Sequence, residues 1–361
     1  MNSADSFSAS YAEARAKFRE AAAAAGGALD SIANPTRAPD GGELATDVAW
    51  FGPRTAERVL VTVSGTHGVE GFCGSGAQID WLRRGEAASL PGGVAVLAVH
   101  AINPYGFAWL RRVTEENVDL NRNWIDFAGA LPANPGYDEL ADAAVPADWS
   151  GESQRASAGK LGAYGAAHGM MALQQALSGG QYRHPRGVFY GGDGPCWARR
   201  TQESIYRDYL GAAGKIAIID YHTGLGPWGY GEQIMTDVAG TPAHARGSAW
   251  YGTSITTPAD GTSTSADIAG DNLGAAPLLL PHAEVTGMAL EVGTHPLATV
   301  FLALRADAWL HAYGDVASTE GQAIKQQIRA AFYGDADDWK GMVAGQSLLV
   351  CRQAIAGLAR G

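Results

Sequence analysis

Residues 58–63, RVLVTV, form an almost unbroken run of β-branched and apolar side chains. A strand with one wet face would alternate polar and apolar residues. A run without polar relief has to be covered on both faces, as in parallel sheets closed in by helices. AVLAVH at 95–100, KIAIID at 215–220 and TGMALEV at 286–292 have the same character. A helical stretch at 74–84, stopped by Gly85, lies between the first two runs. Residues 58–100 therefore predict a strand–helix–strand unit, which normally crosses over right-handed. Further strands are expected at 46–51 and 187–192, and further helices at 165–178 and 199–211. Residues 8–26 predict an N-terminal helix. Phe7, Tyr11, Ala14 and Phe18 share one stripe, and Ser10 with Glu13 fits a capping box. Asn34-Pro35 and Pro39-Asp40-Gly41 read as the end of that unit. A central insertion is expected at about 128–185, loop-rich over 130–150, and a Gly/Thr/Ser-rich surface loop near the site at 252–280. Three helical patterns, starting near 298, 318 and 337, fill about 298–361. With no internal repeat and no dividing linker, the chain reads as one α/β domain over residues 1–361.

The formal charge of -11 disfavours nucleic acid and anionic membrane as partners. Cys73, Cys196 and Cys351 are too few and too far apart for a disulfide framework, which points to a reducing compartment. The N-terminus has no basic start followed by an apolar segment, and PLLLP and MALEV are too short to cross a bilayer. These features predict a soluble cytoplasmic protein. The terminal helices either cover the core or form an interface in a homo-oligomer.

Two short stretches carry chemistry. His67-Gly68-Val69-Glu70 follows the strand at 58–64, and Asp220-Tyr221-His222 ends the strand at 215–220. Ligands at the carboxyl ends of strands fall where open α/β sheets form sites. Two imidazoles and one carboxylate, His67, His222 and Glu70, make a common zinc set for a hydrolase, with the fourth position left to water. The bland alternative makes His67 a turn residue and His222 a hydrogen-bonded core histidine. Asp220 either orients an imidazole or pairs with an arginine. Glu291 ends a buried strand, where a carboxylate must be paired, protonated or beside a metal. Beside zinc-bound water it can act as base. His295 and His100 are competing base candidates that read as structural, and Glu284 reads as a surface residue. Arg111, Arg112, Asn121 and Arg122 lie close in sequence, and an arginine fork matches a carboxylate. They form either a substrate grip or a solvated cluster paired with Glu115, Glu116 and Asp119. Ser64 and Ser75 lack the GxSxG context of a serine hydrolase.

The order HGVE, NPYGF, RR, DLNRNW, DYH, LEVGT resembles the M14 zinc carboxypeptidase superfamily. SGTHGVEGFCGSG, RRVTEENVDLNRN and DYHTGLGPWG look like its DUF2817 branch, which is related to the succinylglutamate desuccinylase and aspartoacylase branch. The resemblance runs from about residue 45 to 300. It implies a mixed, mainly parallel twisted sheet flanked by helices, and one zinc ion on His67, Glu70 and His222. It further implies Glu291 as general base, and Asn121 and Arg122 as holders of a substrate carboxylate. An arginine polarising the scissile carbonyl is implied too, Arg112 fitting best and Arg111 adjacent. The implied activity is cleavage of an amide or peptide bond next to a free carboxylate in a small peptide or N-acyl amino acid. The alternatives are an N-acyl amino acid deacylase and a non-catalytic binding protein that keeps the fold. The tyrosine that carboxypeptidases carry before the glutamate has no counterpart supported by a motif; Tyr251 is the nearest candidate.

Overall fold

The computed structural model describes residues 2–360. Eight strands form one sheet: β1 (Ala28–Arg37), β2 (Glu43–Phe51), β3 (Arg58–Val63), β4 (Val94–His100), β5 (Lys215–Thr223), β6 (Gly231–Ile234), β7 (Ile255–Thr256) and β8 (Glu284–Val292). Their order is β1-β2-β4-β3-β5-β8-β6-β7. The central β4, β3, β5 and β8 are mutually parallel, while β2 and β6 run antiparallel to their inner neighbours. The sheet is thus mixed and mainly parallel, with helices on both faces.

The helices in chain order are α1 (Tyr11–Ala24), α2 (Gly71–Arg83), α3 (Pro104–Ala108), α4 (Pro135–Ala144), α5 (Gly151–His168), α6 (Met170–Ser178) and α7 (Trp197–Leu210). They continue with α8 (Pro242–Tyr251), α9 (Asn272–Leu279), α10 (Leu297–Tyr313), α11 (Thr319–Phe332) and α12 (Asp337–Arg360). Strand alternation sorts the core. Leu60, Val96, Ala217 and Ile219 face one layer, with Phe18 of α1, Phe72 of α2 and Trp339 of α12. Val59, Val61, Leu97, Ile216 and Ile218 face the other, with Ile205 and Tyr206 of α7 and Leu273 of α9. This two-sided burial accounts for the unrelieved apolar runs. A third apolar cluster joins α4, α5, α6, α10 and α11 through Leu140, Leu161, Leu173, Leu304 and Phe332. It sits over the carboxyl ends of the central strands, where Thr223 donates to the Phe332 carbonyl at 2.7 Å. By length and composition α12 could cross a membrane. Here its Trp339, Val343, Val350 and Leu358 are buried against the sheet, so its apolar character serves the core.

The cap forms with its return bond shifted by one residue: Ser10 accepts from the Glu13 amide at 3.2 Å, and Glu13 accepts from the amide of Ala9, just before the cap, at 2.8 Å. Three expectations need correction. Asn34-Pro35 does not end a unit; β1 runs through it. Proline is tolerated because β1 is an edge strand, and its register shifts between Ala33 and Arg37. Residues 187–192 are not a strand of the sheet, and only a bridge between Gln181 and Tyr190 forms there. The central insertion carries helix α4 within 130–150, the stretch expected as loop. Its helices α5 and α6 are separated at Gly169, whose φ of 92° interrupts the helical path.

Candidate metal centre

His67 leaves β3 and caps a single 3-10 turn, Gly68–Glu70, which runs directly into α2. The turn is stitched to the arginine segment by Gly68 N to Arg112 O at 3.0 Å and Val69 N to Arg111 O at 2.8 Å. Position 68 has to be glycine because a Cβ there would lie 2.0 Å from the Gly106 carbonyl carbon. Close backbone approach explains the residue. His222 is the penultimate residue of β5, and its register partner on β8 is Glu291. Paired residues on parallel neighbours project from the same face, so β5 and β8 present His222 and Glu291 side by side.

His67, Glu70 and His222 converge, with ligand atoms all within 4.8 Å of one another. His67 Nδ1 is 3.0 Å from Glu70 Oε1. His222 Nδ1 is 3.1 Å from both His67 Nδ1 and Glu70 Oε2. Nitrogen and oxygen donors about 2.0–2.1 Å from a tetrahedral zinc stand about 3.3 Å apart, so the spacing suits a single divalent ion. Both imidazoles turn Nδ1 to the centre and Nε2 to a carboxylate. Asp119 takes His67 Nε2 at 3.1 Å, and Asp220 takes His222 Nε2 at 2.8 Å. Such carboxylates fix the ring and its tautomer. They are anchored in turn: Thr66 and Asn272 donate to Asp220 at 2.7 and 2.9 Å, and Arg112 Nε donates to Asp119 at 2.9 Å. The site is thus a mononuclear zinc-hydrolase arrangement whose remaining coordination faces a cavity.

The carboxylates are driven apart electrostatically. Burial opposes ionisation of Glu70, yet the His67 charge, hydrogen bonds from His222 and His67, and Arg112 at 3.0 Å hold its carboxyl far below the usual range. Burial, and then the charge of Glu70, push Glu291 up to about 8; the Leu225 amide donates to it at 2.9 Å. One carboxylate is kept anionic as a ligand and the other is free to carry a proton, the separation expected of an acid/base site. Burial lowers His222, but the charge and hydrogen bond of Asp220, with Glu70, outweigh it and raise it well above its ordinary range. A metal ion held at Nδ1 would displace a proton from this ring.

The other candidates separate cleanly. Arg112, Asn121 and Arg122 line the cavity with His67, His222 and Glu291. Arg112 and Arg122 both lie over the Phe189 ring, at 5.2 and 5.5 Å. Arg122 donates to the carbonyls of Ser178 and Asn121, and its nearest carboxylate, Asp119, is 3.9 Å away. Burial lowers the Arg122 guanidinium, a charge that the surroundings compensate incompletely. Arg111 is a correction. It points away from the cavity to Asp307 of α10 at 3.1 Å and Asn117 at 2.8 Å, in a buried cluster with Lys325. Arg112 turns the other way, to Asp119 and Glu70 at the metal centre, so one of the two arginines enters the site and the other does not. Tyr251 is buried in the core beside Trp250, and no tyrosine lines the cavity among the described residues. His100 is buried, stacked on Phe18 and bonded to Ser75 at 2.9 Å. The sequence does not single out Asp119 as the support of the His67 ring, nor Thr66 and Asn272 as the supports of the Asp220 carboxylate. Position next to a ligand was the available signal for Thr66, whereas Asn272 is brought in only by α9.

A family model described as a protein of unknown function, DUF2817, matches residues 7–346. No curated protein matches the chain. Among solved structures, carboxypeptidase A from Helicoverpa armigera is 12% identical, with 89% of this chain and 73% of that one covered and a TM-score of 0.47. Bovine thrombin-activatable fibrinolysis inhibitor, solved with tick carboxypeptidase inhibitor, is 11% identical, with 98% of each chain covered and a TM-score of 0.47.

Proposed function

The chain belongs to the DUF2817 family, and from its metal centre we propose a zinc-dependent hydrolase that cleaves an amide or peptide bond next to a free carboxylate. The observation that carries this reading is the convergence of His67, Glu70 and His222, with His67, His222 and Glu291 lining one cavity. A zinc ion held there would polarise a carbonyl and lower the pKa of a coordinated water. Glu291 accepts the proton of the attacking water at a carboxylate oxygen and returns it to the departing nitrogen. Arg112, tied to Glu70 and Asp119, presents its remaining N–H groups and positive charge to the oxygen that becomes anionic. Asn121 and Arg122 hold the substrate carboxylate, which fixes the distance from carboxylate to scissile bond. The substrate is a small peptide or an N-acyl amino acid. Three buried, unpaired thiols and an acidic chain favour a cytoplasmic setting.

The test is metal analysis combined with a screen of dipeptides and N-acyl amino acids, with and without chelator. About one zinc per chain and chelator-sensitive release of a free amine are expected. A chain that takes up no divalent metal at micromolar concentration overturns the reading and leaves a binding protein.

A further inference from the structure

The cavity above the metal centre is larger and more apolar than a small polar amide needs. Its volume is about 670 Å³; an apolar cavity of roughly 150 Å³ already accommodates benzene. Away from the metal its walls include Leu161 of α5, Leu177 of α6, Phe189, Ile268, and Val300 and Phe301 of α10. The apolar lining continues outward. Met170 and Met171 of α6 and Leu297 of α10 all border the cavity, yet are 70%, 77% and 50% exposed. Flexible methionines adapt to apolar ligands of varied shape, and exposed large apolar side chains gathered at one mouth mark a binding surface. Charged groups able to meet substrate stay at the metal end, in Arg112 and Arg122. Arg305 also lines the chamber, but its guanidinium is turned to the carbonyls of Ala143 and Ala144 at 2.7 and 2.8 Å. Asp271 is engaged as the N-cap of α9, accepting from Gly274 N at 2.7 Å. An acetyl or succinyl group would leave most of the apolar wall against water. A single amino-acid side chain would fill only part of the volume.

Resting on the hydrolase reading above, we propose that the substrate is an N-acyl amino acid whose acyl group is a medium or long alkyl chain. The amino-acid carboxylate meets Asn121 and Arg122, the amide carbonyl lies at the metal centre, and the alkyl chain runs through the chamber toward Met170 and Met171. Water adds its oxygen to the acyl carbon, the C–N bond breaks, and a proton from that water passes to the nitrogen. The products are a fatty acid and a free amino acid.

The experiment measures kcat/KM of the zinc-loaded protein for acetyl, butanoyl, octanoyl and dodecanoyl amides of glycine, leucine and glutamate. Burying each added methylene is expected to raise kcat/KM about threefold to fourfold until the chamber is full. Ala158 lines the chamber from an exposed position on α5, so Ala158→Trp obstructs it with little risk to folding. The dodecanoyl-to-acetyl ratio should fall at least tenfold in this variant. Acetyl or butanoyl amides cleaved as well as the dodecanoyl amide overturn the proposal while leaving the hydrolase intact. If neither these amides nor dipeptides are cleaved, the hydrolase reading fails, and calorimetric titration of dodecanoylglycine against acetylglycine decides the chamber separately. Tighter binding of the long chain, weakened by Ala158→Trp, supports it; equal affinities overturn it.

Discussion

Asp220 and His222 stand two residues apart on one face of β5, and the carboxylate takes Nε2 of the imidazole at 2.8 Å. Strand periodicity creates this pair: side chains at i and i+2 share a face, so a ligand in a strand can carry its own orienting group. Thr66 and Asn272 hold the carboxylate from β3's exit and from α9, which ties the ring's direction to three separate elements.

Asp220→Asn is expected to weaken zinc binding about 10- to 100-fold, the usual effect of removing a carboxylate behind a metal-bound histidine. Competition with a chromophoric chelator measures it. Unchanged affinity would mean that His222 needs no help from Asp220. Glu70→Gln removes a ligand outright and should cost more than Asp220→Asn in the same assay.

Glu291→Gln should keep one zinc per chain and lose about 10²- to 10⁴-fold in kcat, the range for a positioned general base. The amide preserves shape and can still accept from Leu225 N. Burial and Glu70 disfavour charge at this position, so the neutral glutamine should not lower the melting temperature. Full turnover at full metal content would remove Glu291 from the mechanism.

Arg122→Ala should raise KM for carboxylate-bearing amides at least tenfold and change little for the matching carboxamides. Its guanidinium is held by carbonyls and lacks a close carboxylate partner, leaving charge available to a substrate anion. A parallel loss for acids and carboxamides would point to a structural role instead.

Much of this site was legible in the sequence because strand ends and turn spacing are local properties. HGVE after an apolar run and DYH after another identify His67, Glu70 and His222, and the apolar run before Glu291 marks a strand end. The buried sheet was legible for the same reason. The edge strand was not, since Pro35 reads as a stop unless a free edge is known to be there. The apolar chamber was not legible either. Leu161, Leu177 and Phe301 belong to three different helices, and only their packing shows that they line a cavity next to the metal rather than a filled core.

Arg111→Met tests the separation of the two adjacent arginines. Asp307 is buried, and burial alone would favour its neutral form; the charges of Lys325 and Arg111 hold it below the usual carboxylate range. Removing one cation from a buried charge cluster costs about 3–5 kcal/mol, and retained Lys325 puts the expectation at the lower end. Urea unfolding should show that loss, while KM for carboxylate substrates stays near wild type. A selective KM effect without destabilisation would return Arg111 to the site.

His100 contributes one resolvable share of the pH dependence of folding. Burial lowers its imidazole from 6.5 to about 4, the nearby Asp47 charge opposing this. The unfolded chain binds the proton below its ordinary pKa, while the folded chain resists it until about 4. The unfolded state therefore holds more protons between these values, and stability falls as pH drops through that window. At pH 5 the loss relative to pH 7.5 is about 2 kcal/mol from this residue. His311, lowered to about 3 mainly by burial, adds a similar slope and remains in a His100 variant. Urea unfolding of wild type and His100→Gln at pH 7.5 and pH 5, with chelator present so that metal release does not contribute, isolates the His100 share. The variant starts less stable because the Phe18 stacking and Ser75 hydrogen bond are altered, but it should lose less on acidification. Equal losses in the two proteins would mean that His100 titrates normally in the native state.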